Sequence, residues 1–268
     1  MDTTKSRMSI AALSLFALAT APVLAGERPY DPEMRRIIDT VYKQLDDFTD
    51  EMGSKARSGK VTNAAGVATD ISEFVADFKA EGKRLRERFN SDDAATTNAF
   101  EFLKKAKAAD GFVGRHPGFS EAESEWARFQ PTLRTLAAAY LIDWDADPAS
   151  WKALRMTDRE IKELLGDLQS QIKAAGKGLD SVAKSAGVDR AARQELATAV
   201  DSLRAIAKGL RGAFGKQEPV GPRVESVLAG AKAIQETAGT LGIAEAAKGA
   251  WAPLEKSLAT LAGAFGKS

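Results

Sequence analysis

Three aspartates at alternate positions, Asp143, Asp145 and Asp147, come nearest in this chain to a ligand set. A helix-loop-helix calcium loop opens with that spacing. It also needs glycine at its sixth position to turn sharply and glutamate at its twelfth to ligate through two oxygens. Counted from Asp143, those places hold Pro148 and Leu154. The run therefore reads as an acidic, solvated connection rather than a metal loop.

The single histidine, His116, lies in Gly114-Arg115-His116-Pro117-Gly118. A lone imidazole can ligate haem or act as a base, and non-covalent haem could pair it with Met34, Met52 or Met156. Covalent haem needs cysteine, and the chain has none. A di-iron site needs Glu-x-x-His on two helices, which does not occur. Cysteine nucleophiles and glycine-rich phosphate loops after a strand are also missing, and a serine triad would have to recruit His116. A buried pair of carboxylates could still act as acid and base, but the apolar stripes described below carry none.

Glu81 and Arg88, seven apart on one helix, replace Ile206 and Ala213 of a similar segment. Facing inward they would form a charged pair able to bind a polar ligand; facing outward they are a solvated edge, the commoner situation. Trp144 and Trp151 flank the aspartates and could anchor a partner or wedge two domains together, and the wedge is preferred. The candidate ligand-binding residues are thus Glu81, Arg88, His116, Trp144 and Trp151. None is assigned to catalysis or to a metal, and no cofactor is expected.

The elements that must position these residues are helices, and they come twice. VADFKAEGKRLRERF at 75–89 lies over VDSLRAIAKGLRGAF at 200–214, an offset of 125. Upstream the offset is 127: Met34, Ile37, Ile38, Val41, Leu45, Phe48 and Met52 form one apolar stripe at helical spacing. Ile161, Leu164, Leu165, Leu168, Ile172, Ala175 and Leu179 repeat it. The connection ARSGKVTNAA at 56–65 matches AKSAGVDRAA at 183–192, after which Gly66-Val67 reads as an insertion. Trp126 and Trp251 coincide in the fourth helix of each copy.

Asp31-Pro32 reads as a helix start with Asp31 as cap, and Thr157 with Glu160 as a capping box. The third helix is expected to be short, Pro131 to kink the fourth, and no strand or hairpin is expected. The predicted fold class is all-α: a tandem duplication of an antiparallel four-helix bundle, preceded by a cleavable signal peptide. The divisions are a signal peptide at 1–25, a first bundle at 26–141, a linker at 142–156 and a second bundle at 157–268.

Lys5 and Arg7, the apolar stretch Ile10 to Leu18 and Val23-Leu24-Ala25 give the parts of a secretory signal, with cleavage after Ala25. Cleavage removes two of the 38 basic and one of the 37 acidic residues, leaving 36 of each. A neutral mature chain lacks the positive field of a nucleic-acid binder, and no membrane span remains once the signal is gone. Zero cysteines fits a periplasmic or secreted protein stabilised by packing alone. The function expected from these residues is an exported, non-enzymatic binding or interaction protein whose partner is an envelope protein or a small ligand. The alternative is a haem- or metal-carrying periplasmic bundle.

Overall fold

A computed structural model describes residues 28–55, 59–62, 66–91, 93–115 and 120–267. The signal sequence at 1–25 and His116 lie outside the described residues. The described chain is mostly helical: α1 (Asp31–Lys55), α2 (Ile71–Asn90), α3 (Thr96–Arg115), α4 (Ser120–Ala139), α5 (Asp158–Ser185), α6 (Arg190–Gly215), α7 (Gly221–Thr240) and α8 (Ala244–Ala264). No helix among the described residues is long and apolar enough to cross a membrane.

The amphipathic stripes decide the packing. Met34, Ile38, Val41, Leu45, Phe48 and Met52 are spaced alternately four and three apart and are all buried, as are Ile161, Leu165, Leu168, Ile172, Ala175 and Leu179 on α5. That spacing keeps one face turned to its neighbours along the whole helix. α1 packs on α2 and α4, and α3 completes a ring by touching both; α5, α6, α7 and α8 make the same ring. Each ring closes around its own core, the first running from Met34 to Trp151 and the second from Ile161 to Phe265.

Three expectations are corrected. The α1–α2 connection holds a hairpin, with β1 (Lys60–Thr62) antiparallel to β2 (Ala68–Asp70) and Val61 opposite Thr69. Val61 is buried in the first core, and the Ile71 N–H donates to Gly59 O (3.1 Å). Strands of three residues are too short to show an alternating pattern. The matching connection in the second half is a tight turn at Gly187 (φ 71°), so α6 starts at Arg190, capped by Asp189. Second, α3 is not short: α3 and α7 each span 20 residues. The buried face of α3 rests in good part on alanines, Ala99, Ala106, Ala108 and Ala109, which favour helix while adding little to an apolar stripe. Third, Asp31 is the first residue of α1 and does not cap it; its carboxylate serves another helix, as described below. Thr157 does form the capping box with Glu160. α4 continues as helix through Pro131.

The segment after α4 folds back on the first ring. Ile142, Trp144 and Trp151 are buried in the first core, and a 3₁₀ turn at Pro148–Ser150 reverses the chain between the two tryptophans. Tyr140 is buried beside them, its hydroxyl donating to Ala94 O (2.9 Å).

Two outcomes are expected. Phe78→Ala, which removes a fully buried ring from the first core, should cost about 3–5 kcal/mol. Because the cores are separate, amide exchange followed by mass spectrometry should accelerate in α1–α4 and hold in α5–α8. Burial pushes the Tyr140 phenol above its ordinary value of 10.0. An acid whose folded pKa is raised contributes stability in full below the unfolded pKa and loses it as pH rises beyond. The urea midpoint of the first half should therefore fall from about pH 10 upward. Tyr140→Phe should cost about 1 kcal/mol at neutral pH and reduce that alkaline loss.

Candidate functional site

The residues with chemical promise in the sequence are dispersed by the fold. Glu81 pairs with Arg84 (2.6 Å) and Arg88 with Asp93 (2.8 Å), each within the first half, so the two do not pair with each other. Arg88 is exposed, while the Glu81 side chain is largely covered. Trp144 and Trp151 lie 5.9 Å apart, with the Lys107 ammonium 5.0 Å from the Trp144 ring. Both belong to the first core. The expected wedge between the two halves is thereby corrected: the loop that carries them folds onto the ring it leaves.

The aspartate run is spent on local bonds. Asp143 accepts from the Asp145 N–H and Asp147 from the Ala149 N–H, while Arg134 beside Asp145 holds that carboxyl below its ordinary range through a 2.7 Å hydrogen bond. Among the described residues, no group of three or more acidic, histidine or cysteine side chains is placed to hold a metal.

Where the two halves meet, the helix starts of α1 and α5 exchange caps. The Asp31 N–H donates to Asp158 Oδ2 (2.9 Å) and the Asp158 N–H to Asp31 Oδ2 (2.7 Å). Arg28 donates to Asp158 Oδ1 (2.8 Å) and Met156 O; Arg155 donates to Asp31 Oδ1 (2.7 Å) and Pro29 O (3.1 Å). Each donor and each acceptor has its counterpart 127 residues away. Arg28 also covers the Phe214 ring and Arg155 the Phe89 ring, at 5.8 and 5.6 Å. Tyr30 crosses over as well, 5.1 Å from Phe214 and bonded to Glu218 O. Burial lowers the pKa of Arg155 from its ordinary value, with the charge of Arg28 adding to it and Asp31 opposing. The sequence carried a signal for this junction, Arg-x-x-Asp-x-Glu at 28–33 and again at 155–160, which apolar periodicity passes over.

The halves also differ around Trp126 of α4 and Trp251 of α8. In the first, the Trp126 indole N–H donates to Asp110 Oδ1 (2.9 Å), Gln130 donates to the same oxygen (3.0 Å), and Lys107 lies 3.7 Å from the other. Phe48 and Phe129 pack on the indole at 4.9 and 5.7 Å. At the corresponding positions the second half has Trp251, with Gln235 for Asp110, Glu255 for Gln130, Ala175 for Phe48 and Leu254 for Phe129. Ala238 stands where the first half has Val113, and Ala244 where it has Phe119.

A cavity of about 210 Å³ lies among α5, α7 and α8. Its floor is Leu179, Ile234, Ala238, Ala247 and Trp251, and its rim Gln235, Glu245, Lys248 and Glu255. The backbone sets the walls of this space. Gly242 at φ 69° ends α7, and the Ile243 N–H closes the turn on Ala238 O (3.0 Å), fixing where α8 begins. Gly178 lets α5 and α8 approach, since a Cβ there would lie 2.3 Å from that of Ala250. Trp251 is 6% exposed, and its indole nitrogen is buried without a hydrogen-bond partner. Sequence reasoning marked Trp251 only as the counterpart of Trp126, because a cavity is made by what surrounds a residue and not by its spacing.

No protein-family model, curated protein or solved structure matches this chain.

Arg28→Ala and Arg155→Ala should each cost about 3 kcal/mol, since each leaves a largely covered carboxylate short of its cation. The two share one network, so a double-mutant cycle by urea titration should show coupling of about 0.5–3 kcal/mol rather than simple addition.

Proposed function

We propose that this chain is an exported, non-enzymatic helical binding protein, built by tandem duplication of one antiparallel four-helix bundle, whose second copy has opened a ligand cavity. It works in the periplasm or is secreted, after removal of residues 1–25. The duplication is supported by the two sequence offsets, by the identical ring of helix neighbours in each half, and by the reciprocal caps of Asp31 and Asp158. Export is supported by the leader composition and by the lack of cysteine.

One observation carries the binding function. Beside Trp251 the second half has a space with an apolar floor and a polar rim, where the first half has the hydrogen bonds of Trp126 and Gln130 to Asp110. Apolar cavities with a few polar groups are the usual form of a small-molecule site, and one of about 150 Å³ suffices for a benzene-sized guest. The haem or metal alternative rests on His116, and no contact among the described residues favours it.

The test is native mass spectrometry of the mature protein isolated from its source. A chain beginning at Gly26 and carrying a small-molecule adduct is expected. The adduct should weaken in Ala238→Val, which places the first-half residue there and takes up part of the cavity. A ligand-free chain, or an adduct that Ala238→Val does not disturb, would remove the cavity from the function.

A further inference from the structure

The indole N–H of Trp251 has been taken out of water without gaining an acceptor. A buried donor left unpaired carries its full desolvation cost, so an acceptor that reaches it, by a small shift of the side chains covering it, gains the hydrogen bond without having to displace water from it. The first half shows which partner the position accommodates: a carboxylate oxygen of Asp110, 2.9 Å from Trp126 Nε1. Gln235 replaces that carboxylate and is exposed, and the acceptor role is open.

The charge around the position has changed as well. Asp110 is supported by two further donors, the Gln130 amide and the Lys107 ammonium. In the second half Gln130 is replaced by Glu255, so a donor has become a carboxylate. The Lys232 ammonium, which corresponds to Lys107, is exposed and lies 3.9 Å from Glu236. Glu245 adds a second carboxylate to the rim, with Lys248 3.8 Å away. An anionic guest would thus meet Glu255 where Asp110 met an amide donor. A neutral acceptor avoids that repulsion and still satisfies the indole.

Resting on the proposal that the cavity binds a ligand, we infer that its ligand is a small, neutral, largely apolar molecule of one or two rings, held by one hydrogen-bond acceptor on the Trp251 N–H. The acceptor is a carbonyl oxygen, ether oxygen or ring nitrogen.

Three two-ring probes separate the parts of this inference: quinoline, with a ring nitrogen; naphthalene, of the same shape without an acceptor; and 2-naphthoate, with a negative charge. Titrated into the mature protein near neutral pH, quinoline should bind roughly tenfold more tightly than naphthalene, the order expected for one buried hydrogen bond. Naphthoate should bind most weakly. The Trp251 indole N–H resonance, identified by its loss in Trp251→Phe, should move downfield with quinoline alone. Trp251→Phe keeps an aromatic ring and removes the donor, so the preference for quinoline should vanish while naphthalene still binds. Gln235→Asp alters an exposed residue and returns an internal acceptor; it should also erase the preference, without relying on the tryptophan variant to fold. Equal affinity for quinoline and naphthalene, tightest binding by naphthoate, or a preference that survives both variants would overturn the inference. In those cases naphthalene binding that is weakened in Ala238→Val would leave the cavity as a binding site. If none of the probes binds, the cavity reading and the ligand class fall together.

Discussion

The two halves depend on a solution to one electrostatic problem: two helix starts brought together. Each start presents unpaired N–H groups and a partial positive charge, and two of them facing each other would repel. Asp31 and Asp158 lie between them, each accepting the N–H of the other. Arg28 and Arg155 then balance the carboxylates. The compensation is incomplete in hydrogen bonds, because Arg28 Nε and Arg155 Nε and Nη1 are buried without partners. The rings of Phe89 and Phe214 beneath the guanidinium groups offset part of that cost. Buried ionic contacts of this kind add modest net stability; their effect here is to fix which surfaces face each other.

The cores on either side differ in the size of their side chains. The first is rich in aromatic rings: Phe48, Phe78, Phe102, Phe129 and Trp126 lie in one continuous cluster. At the corresponding places the second has Ala175, Leu203, Val227, Leu254 and Trp251. A smaller side chain leaves a void unless the helices move closer, and packed interiors close such gaps only in part. Gly176 and Gly178 allow α5 to approach α6 and α8 closely, which takes up part of that difference. The space near Trp251, at the end of α7 where the turn through Gly242 sets the start of α8, remains.

Helix count, the buried faces of α1 and α5 and the Thr157 capping box were legible in the sequence, because spacing alone determines which side of a helix is apolar. The residues of the hairpin at 60–70 were legible only as a matched connection: Val61 and Val188 both reach a core, but by a strand in one half and by a turn in the other. Asp31 was misread as the cap of its own helix, since a capping pattern does not say which helix start is nearest in space. The candidate site was least legible. Trp126 and Trp251 are identical in type and register, and what separates them is a neighbour on α3 or α7 and the rings on facing helices. Such differences become a cavity only after the helices are assembled.

The reciprocal caps have a consequence for concentration. Two separate chains joined by the same few contacts would part on dilution, since each encounter must overcome the loss of translational freedom. Here both partners belong to one chain, and the connecting segment is folded against the first ring. Their effective concentration is set by that tether and not by the amount of protein. Under the proposed duplication, the same covalent linkage allows the halves to differ. A dimer of identical chains must carry every substitution twice, whereas this chain can change one bundle and leave the other as it is. The cavity beside Trp251 thus keeps its place in every molecule, at any dilution.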